Sequence, residues 1–143
     1  MNLQLMDHVA ILSKGWLEKI LSGEKTIESR WYEFRVKPYQ GISAGDTVYF
    51  KISGVPEINT KALVKKALFF GDLDSTKIEN ILKEYASKIG VDRSFAQEVN
   101  DKKYCTLIFL DNVEKIEPFS IDKAGYGVGC AWISVENIDT IKL

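Results

Sequence analysis

The sequence predicts a single small α+β domain, with five or six strands packed against two main helices. Runs of alternating apolar and polar residues recur at Thr26–Arg30, Thr47–Ile52 and Thr60–Phe70. Lys14–Leu21 and Asp72–Gly90 instead carry apolar residues at helical spacing. At 143 residues, 45% of them hydrophobic and 27% charged, the chain suffices for one core. It shows no linker, repeat or low-complexity segment, so 1–143 reads as one domain.

The elements follow in order. Val9–Leu12 is a brief apolar run and the first strand. Ser13 stands as N-cap for a helix over Lys14–Leu21, whose Trp16, Leu17, Ile20 and Leu21 share a face, and Ser22-Gly23 ends it. From Thr26 the period becomes two. Thr26, Glu28 and Arg30 fall on one face, with Ile27, Ser29 and Trp31 on the other. Lys25 lies three residues before Glu28, so a turn or bulge at Lys25-Thr26 brings their charged ends together. Pro38–Asp46 is a loop ending in a turn at Ala44-Gly45-Asp46.

Thr47–Ile52 is an alternating strand, and Ser53–Glu57 a turn. Thr60–Phe70 is a longer strand, bulged at Lys65-Lys66, whose apolar end Ala67–Phe70 suits burial on both faces. Asp72–Gly90 is the clearest helix, with Thr76 and Glu79 as a capping box and a stripe of Ile78, Ile81, Leu82, Tyr85 and Ile89. A short helix at Arg93–Val99, a strand at Tyr104–Leu110 and a further strand at Val113–Ile116, closed by Pro118, come next. Gly125, Gly127 and Gly129 flank Tyr126 and Val128 in a tight turn. They lack the strand–GxGxxG–helix setting of a dinucleotide site. Ala131–Val135 is the last strand.

Composition narrows the function. Met1–Leu12 lacks the basic start and long apolar run of a secretory signal. No apolar stretch approaches the ~20 residues of a membrane helix, so a cytoplasmic protein without a membrane partner is expected. Cys105 and Cys130 form no CxxC pair, and His8 is the only histidine, so neither a structural metal nor a cofactor is expected and both thiols should be reduced. Near the start of the chain, His8 has only Asp7 as a sequence-near carboxylate, a poor basis for activating a nucleophile. A net charge of −1 excludes a bulk positive field for duplex binding. Lys14–Lys37 nevertheless holds six basic and four acidic side chains, while Asp72–Glu98 leans acidic. That balance suits a small ligand, a nucleoside or a short single strand. A basic track through Lys14, Lys37 or Lys61 would favour a strand.

The densest chemistry lies in Ser22–Arg35, SGEKTIESRWYEFR. Cationic, anionic and aromatic groups interleave there as in a polar pocket, or as in a hairpin whose charges pair at a wet surface. Lys25 or Arg30 can meet an anionic or carbonyl edge, Arg bidentately. Glu28 can accept from a base amine, and Trp31, Tyr32 or Trp132 can offer a stacking face. On this reading, replacing Glu28 abolishes base discrimination and spares the fold. A Lys25 base beside Thr26 or Ser29 needs a lowered pKa, which a close Glu28 opposes.

The run Gly23-Glu24-Lys25-Thr26-Ile27-Glu28-Ser29-Arg30 resembles the signature of the ASCH domain family, a branch of the PUA-like fold. Val9–Leu12 with the helix after it, the Gly45–Lys51 strand entry, Ala67–Phe70 and Tyr104–Leu110 fit in the same order. The resemblance spans nearly the whole chain and implies a PUA-like small mixed β-barrel with helices across its openings. It also implies RNA or a modified nucleoside as partner, held in a cleft lined by Lys25, Glu28 and Arg30 with Gly23 at its lip. Some relatives look like amidohydrolases of N4-acylated cytidine that use a Lys, a Thr and a Glu. Lys25 matches the first, Glu28 stands where the Thr belongs, and the third has no secure match. Lys25 and Glu28 would be the catalytic residues of such an enzyme. A regulatory or protein-interaction domain is the remaining class.

Overall fold

The structure, a computed structural model, describes residues 4–127 and 129–143; Val128, within the glycine turn, lies outside them. Six strands form one sheet: β1 (Asp7–Leu12), β2 (Ile27–Tyr32), β3 (Thr47–Ile52), β4 (Glu57–Phe70), β5 (Tyr104–Ser120) and β6 (Trp132–Val135). Two helices, α1 (Lys14–Ser22) and α2 (Ser75–Ile89), pack on it, with 3-10 segments at Arg93–Gln97 and Ile138–Ile141. The strand order is β2-β5-β4-β3-β1-β6. Only β1–β3 is parallel, with α1 and β2 lying between these two strands in the chain. The sheet curls into a half-barrel, a small α+β PUA-like architecture with β2 and β6 as its free edges.

Three apolar clusters follow from the alternation of faces. Ala10, Leu17, Ile20, Phe50, Val64 and Ile108 fill the concave side beneath α1. Ile27, Leu107 and Cys105 meet α2 through Ile78, Ile81, Leu82 and Ile89 on the convex side. Val9, Ile58, Ile133 and Ile138 close the end where β1 and β6 pair. The Ala67–Phe70 stretch is half-buried, with Ala67 and Phe69 against the first cluster and Leu68 and Phe70 against the second.

Three local expectations need correction. Helix α2 is capped by Asp74, whose extended backbone (φ −132°, ψ 179°) lets its carboxylate accept from Lys77 N–H at 2.8 Å. Thr76 is already inside the helix, so the Thr76–Glu79 box is not used. The strand beginning at Tyr104 does not stop for a turn. It runs to Ser120, and Asn112 (φ 48°) takes up an extra residue where the register slips between Lys61 and Leu63. Pro118 sits inside that strand, opposite a second slip between Ile58 and Thr60, where a missing N–H costs no ladder bond. The predicted bulge at Lys65 is present, between Val64 and Lys66.

His8 also differs from its expectation. It is fully buried, and its carboxylate partner is Asp46, 2.8 Å from Nε2 and 38 residues along the chain. Trp132 Nε1 lies 3.2 Å from Nδ1 and can only donate, so Nδ1 carries the lone pair and Nε2–H donates to Asp46. Ser134 Oγ, 2.8 Å from the same Nδ1, shares that single lone pair with Trp132 as a second donor. Asp46 further accepts the N–H groups of Met6 and Ser43. The network ties β1, β6 and the turn before β3 together, and it requires a neutral ring.

Burial lowers the His8 pKa below its ordinary 6.5, and the Asp46 contact only partly restores it. Below pH ~6.5 the unfolded chain therefore binds more protons than the native one. The His8 contribution is complete above that pH and is lost as pH falls toward the lowered native value. Urea unfolding should show wild type losing more stability between pH 7 and pH 5 than a His8→Asn variant. Parallel losses in the two proteins would refute the assignment.

Candidate functional site

The site begins where two helices end. Gly23 closes α1 in the left-handed conformation (φ 83°), its N–H donating to Ile20 C=O at 3.2 Å. Lys25 N–H then donates to Lys19 C=O at 2.9 Å, and Thr26 N–H to Lys88 C=O in the last turn of α2 at 2.8 Å. The chain thus enters β2 docked against the terminal carbonyls that a helix cannot satisfy itself. The Lys25 ammonium completes the cap. It donates to Ile89 C=O and Ile27 C=O at 2.9 Å each, and its Nζ lies 3.3 Å from Glu28 Oε1. All three of its protons have acceptors, and the side chain is 2% exposed. Gly90, at φ 86°, ends α2 in the left-handed conformation that favours glycine, with Lys25 packed against it.

Glu28 serves two cations. Its Oε1 also accepts Ser29 N–H at 3.0 Å, and its Oε2 accepts from Arg30 Nη2 at 3.1 Å. Arg30 in turn donates from Nη2 to Ile11 C=O and from Nη1 to Ala131 C=O, each at 3.2 Å. Ile11 belongs to β1 and Ala131 immediately precedes β6, so the guanidinium bridges one edge of the sheet to strands at the other. The guanidinium carbon lies 5.1 Å from the ring centre of Trp132.

The electrostatics follow from that placement. Burial opposes the charge on Glu28, but Arg30 and then Lys25 outweigh it and hold the carboxyl below its ordinary range. Burial pulls the Lys25 pKa down, against the attraction of Glu28. Arg30 is raised despite burial, chiefly by Glu28. Two cations around one carboxylate leave a buried net positive charge.

This triad floors a cleft of about 460 Å³ with Leu12, Trp16 and Phe95 in its walls, a volume within the range of small-ligand sites. Trp16 comes from α1 and Phe95 from the 3-10 segment after α2. Of the residues expected at the site, Lys25, Glu28 and Arg30 converge here. Gly23 stands outside the lining, as the cap that turns the chain toward Lys25. Trp31 faces the convex cluster, edge-on to Phe95 with ring centres 6.1 Å apart, and its Nε1 donates to Ser29 Oγ. Trp132 is core, beneath Arg30 and beside His8. Trp16, Phe95 and Glu98 line the cleft without a sequence signal. Trp16 reads as packing in a helical stripe, and nothing local brings residues 95–98 to Lys25.

No family model matches the chain, and no curated protein matches it. Solved structures do. The crystal structure of ASCH from Zymomonas mobilis superposes with a TM-score of 0.69 at 16% identity, over 94% of this chain and 90% of that one. A tyrosine-to-phenylalanine mutant of the Zymomonas mobilis protein gives 0.70 at 15% identity, over 94% and 93%. The chain has an ASCH-like fold. At this identity the likeness is one of architecture, and the ASCH-like frame is what places the β2 motif at the open seam of the half-barrel.

The triad makes its own prediction about stability. Glu28 is the shared counter-ion of two buried cations, so its replacement does not spare the fold as the sequence alone suggests. Glu28→Ala should cost about 3–5 kcal/mol in urea unfolding, the range for breaking a buried pair. Removing Glu114, the surface partner of Lys61, should change little. A Glu28 variant as stable as wild type would contradict this account of the triad.

Proposed function

We propose that this chain binds a nucleobase, in an RNA or as a modified nucleoside, within the cleft over Lys25, Glu28 and Arg30. The observation that carries the reading is the buried, net-positive triad at the floor of a cleft with aromatic walls. The ASCH-like fold is in keeping with it. A carbonyl-bearing base edge suits the positive floor. Arg30, which also engages Tyr32, keeps one Nη1 hydrogen beyond that donated to Ala131, and Glu28 Oε2 keeps a lone pair for an exocyclic amine. Trp16 and Phe95 supply aromatic surface for the ring. Lys25, with every proton committed, sets charge and shape here and has no free lone pair for general-base chemistry.

Calorimetric titration with the four common ribonucleosides and N4-acetylcytidine tests the reading, with chromatography of each mixture for turnover. Saturable binding of at least one should weaken about tenfold or more in Trp16→Leu, as loss of a stacking face implies. No binding of any nucleoside or short RNA would sink the proposal. Release of acetate and cytidine from N4-acetylcytidine would convert it into a hydrolase site.

A further inference from the structure

A second hollow, of about 610 Å³, adjoins this cleft and shares Trp16, Phe95 and Glu98 with it. The two halves differ in electrostatic character. The inner half holds two cations around Glu28. The outer half brings in Glu24 and Asp92 beside Glu98, with Lys19 as its one cation.

Lys19 is already engaged. Its Nζ donates to Gly90 C=O at 2.8 Å and lies 3.6 Å from Glu24 Oε2. Asp92 accepts from the Ser94 hydroxyl and from Ser94 N–H, bonds that favour its ionised form and lower its pKa. Glu98 is exposed and makes no ion pair among the described residues. Helix α2 also ends here, directing the negative end of its dipole at the junction, where Lys25 and Lys19 cap its last carbonyls. Of the lysines expected to extend a strand-binding track, Lys14 lies 3.9 Å from Glu18, and Lys61 lies 3.6 Å from Glu114 on the far strands.

We infer that the outer half of the cleft selects against phosphate, so that its ligand is an uncharged nucleoside entering base-first, not a nucleotide or a strand. The inference rests on the nucleobase reading above and adds to it the identity of the group in the outer hollow. A base edge reaches the positive floor, while a hydroxyl-rich ribose meets carboxylates that accept its hydrogen bonds. A 5′-phosphate in the same place meets Asp92 and Glu98 at like charge. The same repulsion acts on the backbone on either side of a base within RNA.

The test compares each nucleoside of the panel with its 5′-monophosphate by calorimetry at low salt, using the full chain. A nucleoside that binds should do so at least about tenfold more tightly than its monophosphate, a gap of about 1.4 kcal/mol. The gap should narrow with added salt and in the double variant Asp92→Asn/Glu98→Gln, in which Asn keeps the cap on the 3-10 segment. Equal or tighter binding of the monophosphate, or a gap that the double variant leaves unchanged, overturns the inference and leaves the nucleobase reading standing. Absence of binding by both forms overturns the two together.

Discussion

One carboxylate ties an edge of the sheet to the end of a helix and to the strands across the seam. A curled sheet that does not close leaves two edges and a seam between them, and a helix abutting that seam leaves its last carbonyls without donors. Glu28 brings both problems to one point by sitting between a lysine and an arginine. Lys25 reaches from it to the end of α2, and Arg30 reaches from it across the seam to β1 and the residue before β6. Buried ions are costly to desolvate and stay charged only when their partners are complete. Lys25 and Arg30 each reach carbonyls on other elements while sharing Glu28 as counter-ion, and this makes the charge tolerable and the geometry specific.

The same arrangement explains why the floor of the cleft is polar while so little of it is free. Lys25 is the residue a sequence reader would choose first as a catalyst, yet its ammonium is fully engaged in structural bonds. What remains for a ligand is the uncommitted part of Arg30, one lone pair on Glu28 and aromatic surface from two elements that are distant in sequence. The site is therefore mostly shape and field.

How much of this was legible in the sequence depended on distance along the chain. Strand and helix identities came from periodicity, and the ends of both helices from Gly23 and Gly90, because these are local properties. The pairing of Lys25 with Glu28 was legible for the same reason, since a turn at Lys25-Thr26 is a local event. Asp74 displaced Thr76 as cap because two good capping residues stood close together and backbone geometry chose between them. His8 with Asp46, Arg30 with Ala131, and Phe95 beside Trp16 depend on tertiary approach, which no window of sequence contains. Trp31 and Trp132 show the converse. Both were expected to offer a stacking face, but strand alternation sends Trp31 into the cluster under α2 and the pairing of β6 with β1 seats Trp132 beneath Arg30.

The adjacency of β1 and β6 has a consequence for the order of events during synthesis. The first strand of the sheet pairs with the last, His8 opposite Ser134, across nearly the whole chain. Arg30 finds one of its acceptors only at Ala131. Helix α2, the long β4–β5 pairing and the lysine cap all lie upstream and need nothing from the C-terminal strand. A chain emerging from the ribosome can assemble that scaffold early, but it cannot complete the seam until residues 131–135 have emerged as well. The Arg30–Ala131 bond across the seam is thus among the last contacts of the molecule to form.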